Sequence, residues 1–313
     1  MVNPHFDQNR IVWHDAYSGE YAPPAYDNEF ELQWKLALQG DPDYFNNPGA
    51  CTDDRYIEDR VYEWTGKHPS LGNRFFDSSM GIRVLDTPID PAWIAGKKCV
   101  DLGCGMGRWT RTMQRIGARE VLSIDASDSA LKSTGRFNPN LLKADLLNLP
   151  QEHPELGGQF DFGNMWGVAM CTHDPQKTFR SAAFTVKPGG RLYLMVYAPE
   201  GHHGLPSTNT ARRKFHALHS AEQKLAFVDH LYHRQWDSDF PLVDNCKNVL
   251  KNILGHPKGN KVGILDTLEP FYNWVIPLEV IEAWMKQNGF SRMVVLNAGE
   301  KPKCAYHVLG IKD

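Results

Sequence analysis

The run Asp101-Leu102-Gly103-Cys104-Gly105-Met106-Gly107 closes an apolar stretch and opens an amphipathic one. A strand that runs through glycines into a helix suits a nucleotide-like ligand, because glycine lets the backbone approach closely and the helix start offers free N–H donors. Glycine turns at such junctions also serve packing alone. The spacing narrows the ligand class. A dinucleotide fingerprint reads G-x-G-x-x-G, whereas this run reads G-x-G-x-G and has Arg108 where the third fingerprint glycine would fall, which disfavours a pyrophosphate. Asp125 closes Leu122-Ser123-Ile124-Asp125-Ala126-Ser127, and Asp145 follows Lys143-Ala144. Asp145 could instead cap a helix or turn. His173, in the stretch Gly167 to Asp174, is the candidate general base, or else an exposed loop histidine. Further on stand His202, His203, His216, His219, His230 and His233, with two H-x-x-H pairs and with Glu222 and Asp229 nearby. Such pairs can hold a transition metal but are more often solvated helix faces, so no metal is assigned. Arg212, Arg213 and Lys214 form a small anion-attracting cluster or a wet surface.

The elements that would position these residues follow from periodicity. Cys99 to Leu102, Val121 to Ile124, Leu141 to Ala144, Phe160 to Trp166 and Leu192 to Tyr197 read as short buried strands. Their alternation with amphipathic segments is the signature of a parallel sheet with crossover helices. Met106, Trp109, Met113 and Ile116 share one helical face, and Gly117 is placed as its C-cap. Asp174-Pro175 supplies an N-cap and an N1 proline for a helix that stops at Lys187-Pro188-Gly189-Gly190. A helix from Pro277 to Asn288 and strands at Phe290 to Leu296 and Ala305 to Ile311 complete the pattern. Residues 1–95 carry helical patterns at Glu29 to Leu38 and Asp54 to Thr65 and read as a helical cap. Residues 198–276 read as a polar helical insertion, which leaves 96–197 and 277–313 as the core.

The stretch VDLGCGMG, followed at matching offsets by LSIDAS, KADL, FDFGNMWGV and VKPGGRL, resembles the class I S-adenosylmethionine-dependent methyltransferases, of the bacterial small-molecule type, over roughly residues 97–200. The resemblance implies a Rossmann-like, seven-stranded, mostly parallel sheet with helices on both faces and the last strand antiparallel. It also implies S-adenosylmethionine as cofactor and S-adenosylhomocysteine as product. Asp101, Gly103, Cys104, Gly105 and Gly107 would cradle the cofactor, with Asp125 on the ribose hydroxyls beside Ala126. A carboxylate suits a vicinal diol because its two oxygens are acceptors at a fixed separation. Asp145 would take the adenine amine, the Leu146 backbone N–H would meet the ring, and Trp166 would flank the methionine part. Relatives often carry a histidine pair where Met170 and Cys171 stand here, so His173 is displaced from those positions. The run Asp266-x-x-x-Pro270-x-Tyr272 resembles a subgroup whose insertion covers the substrate pocket, which makes Tyr272 either a substrate contact or a ring packed under that lid. Phe75, from the cap, is a second candidate for that wall.

The chain has 313 residues, 42% hydrophobic and 23% charged, an ordinary globular composition. Its formal net charge of -3 provides no positive field for nucleic acid or an anionic membrane. No signal-type leader and no run of eighteen apolar residues is present, so the expectation is a soluble cytoplasmic protein. The scattered cysteines read as reduced thiols. The leading expectation is therefore in-line O- or N-methylation of a small-molecule substrate, with no membrane partner, nucleic acid disfavoured, and no oligomeric state implied. Methylation of RNA or protein is the alternative within the fold. A non-catalytic cofactor-binding regulator is the alternative outside it, and the glycine spacing opposes an NAD-dependent oxidoreductase.

Overall fold

The computed structural model describes residues 12–13, 30–39, 54–66, 84–201, 206–233, 240–254, 261–301 and 303–313. Phe75, His202 and His203 lie outside them. In chain order the strands are β1 (Val12–Trp13), β2 (Lys98–Leu102), β3 (Glu120–Asp125), β4 (Leu141–Lys143), β5 (Phe160–Trp166), β6 (Val186–Tyr197), β7 (Trp274–Val275), β8 (Phe290–Val295) and β9 (Ala305–Lys312). A seven-stranded sheet runs β4-β3-β2-β5-β6-β9-β8, and β1 pairs antiparallel with β7. Neighbours from β4 to β6 are parallel, whereas β9 is antiparallel to both β6 and β8. This is the expected Rossmann-like order. The break in strand sequence at β2 and β5 is a topological switch point, where open α/β sheets place their ligands.

The described helices are α1 (Glu31–Gln39), α2 (Asp54–Thr65), α3 (Pro91–Ile94), α4 (Arg108–Ile116), α5 (Asp128–Thr134), α6 (Leu149–Glu152), α7 (Pro175–Thr185), α8 (Pro206–His216), α9 (Ala221–Tyr232), α10 (Pro241–Leu254), α11 (Lys261–Leu268) and α12 (Leu278–Gln287). Their ends obey the expected capping chemistry. Gly117 closes α4 in the left-handed conformation, and the Asp174 side chain accepts from Lys177 N, 2.8 Å, at the start of α7. Both faces of the sheet are covered. Phe179 of α7 and Trp284 of α12 pack on one face, and Trp64 of α2 and Trp109 of α4 pack on the other.

The second cap helix is part of that core. Trp64 is fully buried, stacks on Trp109 at 4.5 Å and meets Phe162 and Tyr193 edge-on at 5.9 and 5.1 Å. β6 also starts earlier than its apolar run suggests. Val186 pairs with Phe160 and Arg191 with Phe162, so residues 187–190 bulge opposite Asp161. The Asp161 carboxylate pairs with Lys187 and accepts Lys98 N at 2.9 Å, which holds the bulge to β2.

The insertion is helical, but two of its basic residues are interior. Arg212 is fully buried and donates to the carbonyls of Thr267, Pro270 and Phe271, while His216 Nε2 stands 2.9 Å from Leu268 O. Arg212 and His216 thereby hold the Thr267 and Leu268 carbonyls, which the end of α11 leaves open, and Arg212 also holds the two carbonyls just beyond it. Burial pushes the His216 pKa down to about 3, so its ring is neutral. Arg212 is therefore a structural cap and not part of an anion-attracting surface. Replacing it with leucine removes a charged donor's bonds to these carbonyls, each worth about 1.5–3 kcal/mol. Denaturant unfolding of Arg212→Leu should show a loss of that order, and unchanged stability would refute the role.

Candidate functional site

β2 and β3 end side by side at the switch point, and the loop after β2 turns over the end of β3. Gly105 N donates to Asp125 Oδ2 at 2.8 Å, and Ser127 N donates to Oδ1 at 2.9 Å. One carboxylate thus fixes both the glycine loop and the start of α5, where Ser127 caps Ala130 N at 3.1 Å. Burial raises the Asp125 pKa, opposed by the nearby backbone amides of Ser127, Gly105 and Ala126. Gly103, Cys104, Gly105, Asp125, Ala126, Leu146 and Trp166 all line one cleft, with about 900 Å³ of empty space including its mouth. Burial holds the Cys104 thiol well above its ordinary pKa, so Cys104 serves as wall and not as nucleophile.

Helix α1 roofs this cleft. Gly105 has φ +52, and a Cβ there would stand 2.9 Å from Cζ2 of Trp34. Phe30, itself at φ 63, stacks on Trp34 at 6.1 Å, and both rings line the cleft. Two carboxylates clamp the helix. Glu31 accepts the hydroxyls of Ser127 and Ser129 at 2.7 and 2.6 Å, while Glu269 accepts Leu32 N and Gln33 N at 3.1 and 3.2 Å. Glu269 caps the N-terminus of α1 from 236 residues away.

The opposite end of the cleft is built from α4, β6 and α11. Arg108 lies over the Trp166 ring with its guanidinium carbon 4.9 Å from the centroid, and Trp109 meets the same ring at 5.6 Å. Tyr197 and Asp266 line this end. Asp266 Oδ1 accepts Gln33 Nε2 at 3.3 Å. Burial raises its pKa, while Arg108 pulls the other way.

Several expected site residues stand elsewhere. Asp101 lies beneath the loop, where Oδ2 accepts the Thr110 hydroxyl and Oδ1 accepts Asn164 Nδ2, both at 2.7 Å. Its side chain points into the layer below the cleft and braces β2, α4 and β5. Burial pushes its pKa up to about 6 against those bonds. Asp145 accepts Leu147 N at 2.9 Å and Asn148 Nδ2 at 3.4 Å, so it caps its own turn, and its neighbours Ala144 and Leu146 face the cleft. Gly107 does not line the cleft but starts α4 at φ 85, packed against Thr134 and Phe137. His173 is exposed, its ring 6.0 Å from that of Tyr272, and neither lines the cleft. Sequence reasoning missed Trp34, Phe30, Tyr197 and Arg108 as cleft walls. Asp266 stood in a motif already noted, without a role.

A family model described as a methyltransferase domain matches residues 76–242, just over half of the chain. The chain belongs to the methyltransferase-domain family. The resemblance to class I methyltransferases is thereby borne out. This methyltransferase-domain chain is 30% identical over 142 residues to a ubiquinone biosynthesis O-methyltransferase of Acinetobacter baumannii (strain AYE), covering 41% of this chain and 59% of that protein. One of Stutzerimonas stutzeri (strain A1501) is also 30% identical, over 140 residues, covering 41% and 60%. The match thus spans less than two thirds of these relatives' length. Among solved structures, an S-adenosylmethionine-dependent methyltransferase from Mesorhizobium loti is 16% identical with a TM-score of 0.44, covering 70% of this chain and 93% of that one.

The clamp gives a pH signature. Burial pushes Glu269 up to about 8, opposed by the Gln33 and Leu32 amides, so folding favours its protonated form. The stability it contributes is full below its ordinary pKa of 4.5 and is lost as pH rises through about 8. The thermal midpoint should therefore drop as pH rises from 4.5 to about 8 and level off above that, and Glu269→Gln should flatten the drop. Equal slopes in both proteins would contradict the assignment.

Proposed function

We propose that this protein binds S-adenosylmethionine in the cleft and transfers its methyl group to a small molecule by in-line displacement. The Asp125 carboxylate carries the reading. An ionised carboxylate has about four acceptor sites, so one that already holds two backbone amides can still receive both hydroxyls of a ribose. The tight cradle at Gly105 and the absence of a third fingerprint glycine suit an adenosyl group without a pyrophosphate. Bound there, S-adenosylmethionine supplies an electrophilic methyl group. The chain's own part is alignment and exclusion of water, with Leu146 and Ala126 at the nucleoside end. The Trp166 ring lines the cleft, where it can add cation–π attraction to a sulfonium.

A small-molecule acceptor fits the cleft under α1 and the O-methyltransferase activity of the ubiquinone-biosynthesis relatives. The net charge of -3 gives RNA no attracting field, and no helix among the described residues is long and apolar enough to cross a membrane. The exposed His173, away from the cleft lining, takes no part in the reaction in this reading.

Calorimetry with S-adenosylmethionine, S-adenosylhomocysteine and NAD separates the cofactor classes. Both adenosyl ligands should bind and NAD should not, and absence of either adenosyl isotherm sinks the proposal. Asp125→Ala should weaken S-adenosylhomocysteine at least about tenfold, or 1.4 kcal/mol. An unchanged affinity removes the ribose contact. His173→Ala should keep full affinity and full turnover.

A further inference from the structure

The cleft wall reaches from the end of β3 to the end of β6. Asp125 ends β3 and Tyr197 ends β6, with β2 and β5 between them in the sheet. Three strand spacings separate the two ends, about 14 Å along the edge. The methyl carbon of an adenosyl sulfonium lies three bonds beyond the ribose ring, so a ribose seated on Asp125 leaves the Tyr197 end of the cleft for the acceptor.

That end carries a defined polar group. Asp266 presents a carboxylate on the cleft wall, delivered by α11 and anchored at one oxygen by Gln33 Nε2 at 3.3 Å. Tyr197 lies on the same wall, and burial holds its phenol well above the ordinary pKa, so it keeps its hydrogen. Arg108 supplies positive charge nearby, against Asp266 here and Asp125 at the nucleoside end. This balance favours neither an anionic acceptor nor a strongly cationic one. A hydroxyl is different: it donates to a carboxylate and must lose its proton on methylation, which calls for a positioned base.

We propose that Asp266 is the proton acceptor of the reaction and that the methyl acceptor is an uncharged molecule presenting a hydroxyl group to it. This rests on the methyltransferase reading of the same cleft. The acceptor oxygen forms its bond to the methyl carbon as the carbon–sulfur bond breaks. Sulfur keeps that bonding pair and becomes a neutral thioether, and the hydroxyl hydrogen passes as a proton to the Asp266 carboxylate.

The test combines binding with turnover. In Asp266→Asn, which keeps an acceptor for Gln33, the affinities for S-adenosylmethionine and S-adenosylhomocysteine should both stay within about threefold of the unaltered protein. Transfer of labelled methyl into a small-molecule extract of the producing cells should fall by about 100-fold or more, the usual range for a removed base. In Asp266→Ala, added formate should restore part of the turnover, which it would not do for a structural carboxylate. Undiminished transfer in Asp266→Asn, or no formate rescue, overturns the base role. A selective loss of S-adenosylmethionine affinity overturns it too, because Asp266 would then pair with the sulfonium. If the unaltered protein binds the cofactor but labels nothing in the extract, the small-molecule reading fails instead.

Discussion

The Asp125 carboxylate joins two segments that the sheet alone leaves apart. Its oxygens receive the amides of Gly105 and Ser127, so the loop after β2 and the start of α5 are set by a single side chain. Two amide bonds to one charged group are stronger than two neutral ones and fix the loop without occupying all the lone pairs. The arrangement then propagates outward. Ser127 and Ser129 offer hydroxyls to Glu31, Glu31 brings α1 over the loop, and Trp34 rests where Gly105 has no side chain. A larger residue at 105 would displace the roof before it touched any ligand.

Three aspartates at this edge illustrate how position sets the role of one chemical group. Asp101 is enclosed and spends both oxygens on Thr110 and Asn164, so it braces the layer under the loop. Asp125 is on the neighbouring strand, two residues past the partner of Asp101, and lines the cleft. Asp266 comes from outside the sheet, on a helix whose terminal carbonyls are held by Arg212 and His216. The buried cation in the insertion thus serves the cleft indirectly, by keeping α11 in place.

Local rules made much of this visible beforehand. Strands buried on both faces appear as continuous apolar runs, and caps such as Asp174 and Gly117 act within a few residues of the helix they end, so both are written in adjacent sequence. The glycine loop was legible for the same reason. What escaped is non-local. Glu31 meets serines 96 and 98 residues away, and nothing around Trp34 distinguishes a cleft wall from a core residue. Asp101 and Asp125 both stand at strand ends in the sequence, and only the side-chain direction in the folded sheet separates the brace from the cleft wall. Asp145 meets its partners within three residues, yet this purely local capping role is, from the sequence, the lesser reading beside adenine recognition.

A crystal structure of the complex with S-adenosylhomocysteine addresses the account at its centre. It should place the two ribose hydroxyls within hydrogen-bond reach of the Asp125 oxygens, about 2.5–3.0 Å, with Gly105 N and Ser127 N still bound to the same carboxylate and α1 closed above. A ligand whose ribose sits elsewhere while Asp125 keeps its two amides would show a carboxylate that is structural only, and would contradict the account.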